Sequence, residues 1–222
     1  SNIPISDRTS DLSAGDEIMD MTAVLHRLIW ISWTAVSIAA NDTVMAQAPG
    51  GCNTPVSERT SDFGCYLSAS ETLDDLPAVP LFWHVYDYPT RAAAESAKRV
   101  HGTVVESFGR IWLFNIAGAD WRPSTGDRVA VIGPLPIAPG KQYTARYMEA
   151  TFPPGMRTTV HRHSGPEAWY VLSGTQCLET PEGITVVRAG EGAVVREGPP
   201  MTLSSVGGET RRSVLLDLHD KS

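Results

Sequence analysis

The sequence predicts a mainly β protein, with an antiparallel β-domain in its C-terminal part and a small α+β extension before it. Three observations carry this reading. From residue 128 onward nine short strand-like runs follow one another: RVAVIG, QYTARYMEATF, TTVHRH, EAWYVLSG, TQCLET, ITVVRA, GAVVRE, MTLSSV and RRSVLLDLH. Pro-Gly, Gly-Pro, Ser-Gly, Pro-Glu-Gly, Ala-Gly and Gly-Gly separate them, residue types that reverse a chain at little steric cost. Strands recurring every 8 to 12 residues or so between such turns describe a sandwich or a barrel. A barrel closes its own edges, and a small one can hold a single ligand inside.

The elements before residue 128 are more mixed. Residues 25–40, LHRLIWISWTAVSIAA, place Arg27 ahead of thirteen uncharged, mostly apolar residues, and VMAQA follows with Ala46 and Ala48 at the spacing a signal peptidase accepts. That order predicts an export signal starting at Met19 or Met21 and cleaved after Ala48, so that residues 1–48 are upstream residues plus leader. The apolar run is too short to span a bilayer, which takes about 20 residues, so no stable membrane anchor is expected. Residues 2–11, NIPISDRTSD, echo residues 53–62, NTPVSERTSD, at seven of ten positions, but no longer repeat accompanies them.

Residues 49–127 are expected to form an arm and an α+β extension. The stretch 49–80 reads as irregular, with Cys52 and Cys65 near enough in sequence to close a small disulfide loop in an oxidising compartment. LFWHVYDY at 81–88 reads as a strand. TRAAAESAKR at 90–99 reads as a short helix entered through Pro89 and Thr90. Strands follow around 103–106 and 110–116, and Phe82, Trp83, Trp112 and Phe114 are expected to cover a face of the barrel domain, which is assigned to 128–222. Cys177, inside TQCLET, reads as a small buried hydrophobe rather than a nucleophile.

The chemistry concentrates in GMRTTVHRHSGPEAWYVLSG, residues 155–174. Side chains alternate along a strand, so His161 and His163 share a face that Thr159 also joins, while Arg162 points away. Ser164-Gly165-Pro166 turns the chain, and Glu167 opens the return strand with Trp169 and Val171 on its own face. Two imidazoles and a carboxylate brought together inside a barrel would be costly to bury unpaired. A divalent metal removes the cost, and two histidines with one carboxylate suit Fe, with Mn, Zn, Ni and Cu also accepted. The predicted metal ligands are therefore His161, His163 and Glu167, with Thr159, Trp169 and Met201 as pocket candidates and Glu167 as the candidate catalytic base.

The spacing Gly155, His161, His163, Glu167, Gly174 resembles the first signature motif of the cupins over its full length. The resemblance implies a jelly-roll β-barrel with a metal inside, covering roughly 128–219, and dimerisation through exposed strands. The second cupin motif departs from the family pattern. AGEGAVVREGPPMTLSS, residues 189–205, puts Arg196 where proline is usual, Met201 where the last histidine ligand should stand, and Ser205 where asparagine is usual. Four readings stay open: a metal held by His161, His163 and Glu167 alone; Met201 as a thioether ligand favouring copper; an empty site whose histidines hydrogen-bond a ligand; or His219 substituting from the last strand.

Composition sets the outer limits. A formal net charge of −7 and the lack of a Lys/Arg cluster argue against a nucleic-acid partner. The chain holds no G-x-S-x-G elbow, Gly-rich phosphate loop or C-x-x-C pair. Two functions from different classes fit: a metal-dependent enzyme acting on a small molecule by oxygenase, isomerase or lyase chemistry, or a non-catalytic barrel that binds a small ligand and has lost its metal.

Overall fold

A computed structural model describes residues 51–221. The export signal and its cleavage point after Ala48 lie outside the described residues. Among the described residues no helix is long and apolar enough to cross a membrane.

The chain forms β1 (Gly64–Leu73), β2 (Leu81–Tyr88), α1 (Arg91–Ala97), β3 (Gly102–Ser107), β4 (Arg110–Gly118), β5 (Asp127–Ile132), β6 (Tyr143–Phe152), β7 (Glu167–Ser173), β8 (Thr175–Thr180), β9 (Gly183–Arg188), β10 (Gly192–Val195), β11 (Thr202–Val206) and β12 (Arg211–Asp220). They assemble into a five-stranded sheet in the order β1-β6-β12-β7-β10, a three-stranded sheet β11-β8-β9 and a four-stranded sheet β3-β4-β2-β5. Every strand pairing is antiparallel.

The five-stranded sheet is the middle layer, and strand parity decides what each residue meets. On β6 and β12, Tyr143, Ala145, Tyr147, Val214, Leu216 and Leu218 point one way, into a core completed by Trp83, Val85, Trp112, Phe114 and Ile116 of the four-stranded sheet. Phe114 meets Tyr147 with ring centroids 5.1 Å apart. Met148, Ala150, Phe152 and Leu215, with Trp169 and Val171 of β7, point the other way and pack on Leu178, Val187 and Leu203 of the three-stranded sheet. That second pair of facing sheets is the jelly-roll barrel the motif implies. Helix α1 covers the far side of the four-stranded sheet with Ala94 and Ala97. Its entrance is capped by Thr90, whose side chain accepts a hydrogen bond from the Ala93 amide, so one of the unpaired first-turn donors is satisfied.

The structure draws the internal divisions differently from the sequence at three places. The stretch read as an irregular arm contains the ten-residue strand β1, which pairs along β6 and becomes an edge of the middle sheet. Its apolar residues change sides at an irregularity between Leu67 and Ala69: Cys65 and Leu67 join the core shared with the three-stranded sheet, and Ala69 and Leu73 the core shared with the four-stranded sheet, so no unbroken period-2 pattern marks the strand in the sequence. Strand β5, read as the first barrel strand, pairs instead with β2 and closes the four-stranded sheet. TTVHRH is not a regular strand; Arg157 and His161 make single bridges to Ser204 and Met201. Glu149 ties the layers together: buried on β6, it accepts hydrogen bonds from Arg59 in the arm (2.9 Å) and Ser107 of β3 (2.6 Å). Cys52 and Cys65 are joined as a disulfide.

Candidate functional site

Between the middle sheet and the 157–164 segment lies a cavity of about 450 Å³. Met148, Ala150, Phe152, Leu203 and Leu215 give it an apolar floor, and His161, His163, Glu167, Asp217, Arg146 and His219 supply polar groups nearer the mouth. The disulfide forms part of the wall. An apolar enclosure with a few convergent polar groups is the usual form of a small-molecule site.

The turn at Gly165 brings the motif together. A Cβ there would fall 1.8 Å from the Leu218 carbonyl oxygen, so only glycine lets Ser164-Gly165-Pro166 lie against β12. The Leu218 amide then donates to the Pro166 carbonyl (3.0 Å). This contact lines up Glu167 opposite Asp217 in the β7–β12 register, both facing inward. Gly174, at the end of the motif, has φ of 69°, and its Cα lies so close to Arg211 that a Cβ would sit 2.9 Å from the Arg211 Cα. The two glycines thus fix β7 against β12 at both ends.

His163 stands between two carboxylates. Its Nδ1 is 3.1 Å from Asp217 Oδ1, and its Nε2 is 3.5 Å from Glu167 Oε2. Burial works to lower the His163 pKa, but the Glu167 and Asp217 charges outweigh it and push it up to about 9. Burial raises Glu167 to about 7 against the pull of His163. Arg146 pairs with the other Asp217 oxygen at 3.2 Å, so Asp217 is fixed from two sides and in turn fixes the imidazole. His161 has its Nδ1 on the Thr159 carbonyl (2.9 Å), which leaves Nε2 as its unused nitrogen. Its ring centroid is 5.0 Å from that of His163, and burial keeps its pKa below the usual value.

The residues present fit a divalent metal only in part. His163 Nε2 and Glu167 Oε2 are buried, meet no hydrogen-bond partner among the described residues and lie 3.5 Å from each other. Among the described residues, however, no group of three His, Cys, Asp or Glu side chains is gathered closely enough to hold an ion. His161, His163, Glu167 and Thr159 all line the cavity, and of these His163 and Glu167 approach each other most closely among the ionisable pairs described. Met201 and Trp169 belong to the core between the sheets instead of the cavity wall. Met201 is the cross-strand partner of His161, joined by amide-to-carbonyl bonds in both directions (3.1 and 2.8 Å). His219 sits at the rim, with Nδ1 3.1 Å from Ser164 Oγ.

Sequence reasoning missed two groups on β12. Asp217 is an acid between leucines in VLLDL, and Arg211 is a cation that is entirely buried. A charged residue at inward parity in an apolar strand is the signal that could have found both.

No family model matches the chain and no curated protein matches it. Solved structures that share part of the fold include a conserved protein of unknown function from Streptococcus pyogenes, 19% identical with a TM-score of 0.33 over 35% of this chain and 67% of that one. A cupin domain from Bordetella pertussis Tohama I is 25% identical, with a TM-score of 0.30 over 38% of this chain and 88% of its own. A cupin-2 domain-containing protein from Shewanella frigidimarina is 16% identical, with a TM-score of 0.30 over 34% and 71%. These overlaps take in about a third of the chain. The full string from Gly155 to Gly174 leads from the cavity wall into β7 of an antiparallel β-barrel domain, the arrangement that its resemblance to the first cupin motif implies.

Proposed function

We propose that the cavity is a small-molecule site with a divalent transition metal at its polar end, in which His163, Glu167 and His161 supply the ligands. The observation that carries this reading is the pair of buried, unpartnered atoms, His163 Nε2 and Glu167 Oε2, 3.5 Å apart. The orientation of His163 supports it as well, since a carboxylate on Nδ1 leaves Nε2 as the electron-pair donor. When bound, such an ion would polarise an oxygen of the ligand, as a Lewis acid does for oxygenase, isomerase or lyase chemistry. The chain's own contribution is separable. Asp217 and Arg146 hold the imidazole in place, and the apolar floor keeps water from the enclosed end. Glu167, raised to about 7, can take or release a proton at its carboxyl near neutral pH. Export of the mature chain is part of the proposal, supported by the Cys52–Cys65 disulfide, since such bonds persist in oxidising compartments.

A second reading has its own observation. With no three-donor group among the described residues, His163 can serve as an imidazolium between Asp217 and Glu167, and the barrel then binds a ligand without metal or catalysis. Elemental analysis of protein purified without chelator separates the two. About one equivalent of a transition metal in the wild type, lost in His163→Ala, supports the metal site. A metal-free wild type that acquires metal on Met201→His, which sets an imidazole directly across from His161, overturns it in favour of the ligand-binding barrel.

A further inference from the structure

The apolar end of the same cavity contains a charge that the metal reading leaves unexplained. Arg211, at the start of β12, is wholly buried and lines the cavity. Its Nη1 donates to Gln176 Oε1 and to Ser213 Oγ (2.8 Å), and its guanidinium carbon lies 4.1 Å over the Phe152 ring. Among the described residues, its Nε and Nη2 have no hydrogen-bond partner. These two nitrogens form one complete edge of the guanidinium, the edge that takes a carboxylate through two parallel bonds. The neighbouring Gln176 Nε2 is also buried without a partner. Glu167 acts on Arg211 electrostatically but leaves that edge unbonded.

A buried cation normally has an anionic partner, because an uncompensated charge out of water is expensive. The residues that hold Arg211 by Nη1 are neutral, so they orient the group without neutralising it. Around it the cavity is apolar: Phe152, Leu203, Leu215, Met148 and Ala150. We infer that Arg211 is the anchor for a carboxylate on the bound small molecule, which enters with its apolar body against this floor and pairs its two oxygens with Nε and Nη2. The ligand class is therefore a monocarboxylate with an apolar body, and its other end faces His163 and Glu167. Specificity follows from the vacated edge of the fork: an amide of the same shape would offer one acceptor and a donor, leaving a guanidinium N–H facing another N–H. This inference rests on the reading of the cavity as a small-molecule site and adds the chemistry of its occupant.

The test is calorimetric titration of the purified protein with benzoate and hexanoate and with their neutral counterparts, benzamide and hexanamide. The wild type should bind the carboxylates at least ~30-fold more tightly than the amides, the loss expected when one partner of a buried charge pair is removed. Arg211→Met should abolish that preference. It should also melt at the same temperature as the wild type or higher, because an apolar side chain replaces a buried charge without an ionic partner. Should Arg211→Met fail to fold, Arg211→Lys keeps the charge without the fork and should lose most of the preference. Amides that bind as well as carboxylates, or a preference that survives in either variant, would overturn the assignment to Arg211 while leaving the cavity as a binding site. If neither class binds the wild type, both the anchor and the small-molecule reading fall.

Discussion

At the scale of single residues, the site depends on groups whose ionisation is set by one another. His163 is the centre of that set. Its folded pKa of about 9 lies above the ordinary value of 6.5, so its contribution to stability is fully present below pH 6.5 and is lost as pH rises through 9. In metal-free protein, thermal melts should therefore show the wild type losing, relative to His163→Gln, on the order of 3 kcal/mol across that window. A constant difference between the two proteins from pH 6 to 9 would contradict the pairing with Glu167 and Asp217. The turn between the two sides of the motif is equally exacting. Gly165→Ala sets a methyl group against the Leu218 carbonyl, where backbone rather than a flexible side chain must move. Overpacking in a filled site costs about 1–3 kcal/mol, and a contact this short belongs at or beyond the upper end. Chemical denaturation should show the loss directly.

At the scale of elements, the histidine pair, the turn and Glu167 were legible because they lie within a single stretch, where spacing alone says which side chains meet. The helix at 90–99 was legible for the same reason, although it ends at Ala97 with Lys98 as its cap. Asp217 and Arg211 were not, since Asp217 meets Glu167 only once β12 has paired with β7, fifty residues away in sequence, and Arg211 meets Gln176 and Phe152 only once β6 and β8 are in place. β1 was hidden differently. Its serines and threonines look like loop composition until β6 supplies a ladder for it and the disulfide anchors its start. That anchor carries a prediction. Replacing Cys52 and Cys65 by serine removes a cross-link between residues 13 apart, which should lower stability by about 3 kcal/mol. Because both cysteines line the cavity, the same variant should also weaken binding of whatever ligand the wild type takes up, read by calorimetry.

At the scale of the whole molecule, the division into an extension and a barrel does not divide the stability. The four-stranded sheet contributes Trp83, Trp112 and Phe114 to a core whose other half belongs to the barrel's own sheet. Phe114→Ala should cost about 3–5 kcal/mol as a large buried truncation. The loss should appear in a single transition, coincident by tryptophan fluorescence and far-ultraviolet circular dichroism. Two separated transitions would mean that the sheets fold independently. The middle sheet also explains why EAWYVLS and VLLDL read as nearly continuous apolar text: there is no solvent side for them to alternate with. A strand slipped by a single position would exchange the contents of two interiors at once, sending Tyr147 or Val214 towards the cavity side and, on β12, Asp217 into the aromatic core. Misalignment is thus penalised twice over, and the chain gains a proofreading device for its own assembly from nothing more than having neighbours above and below.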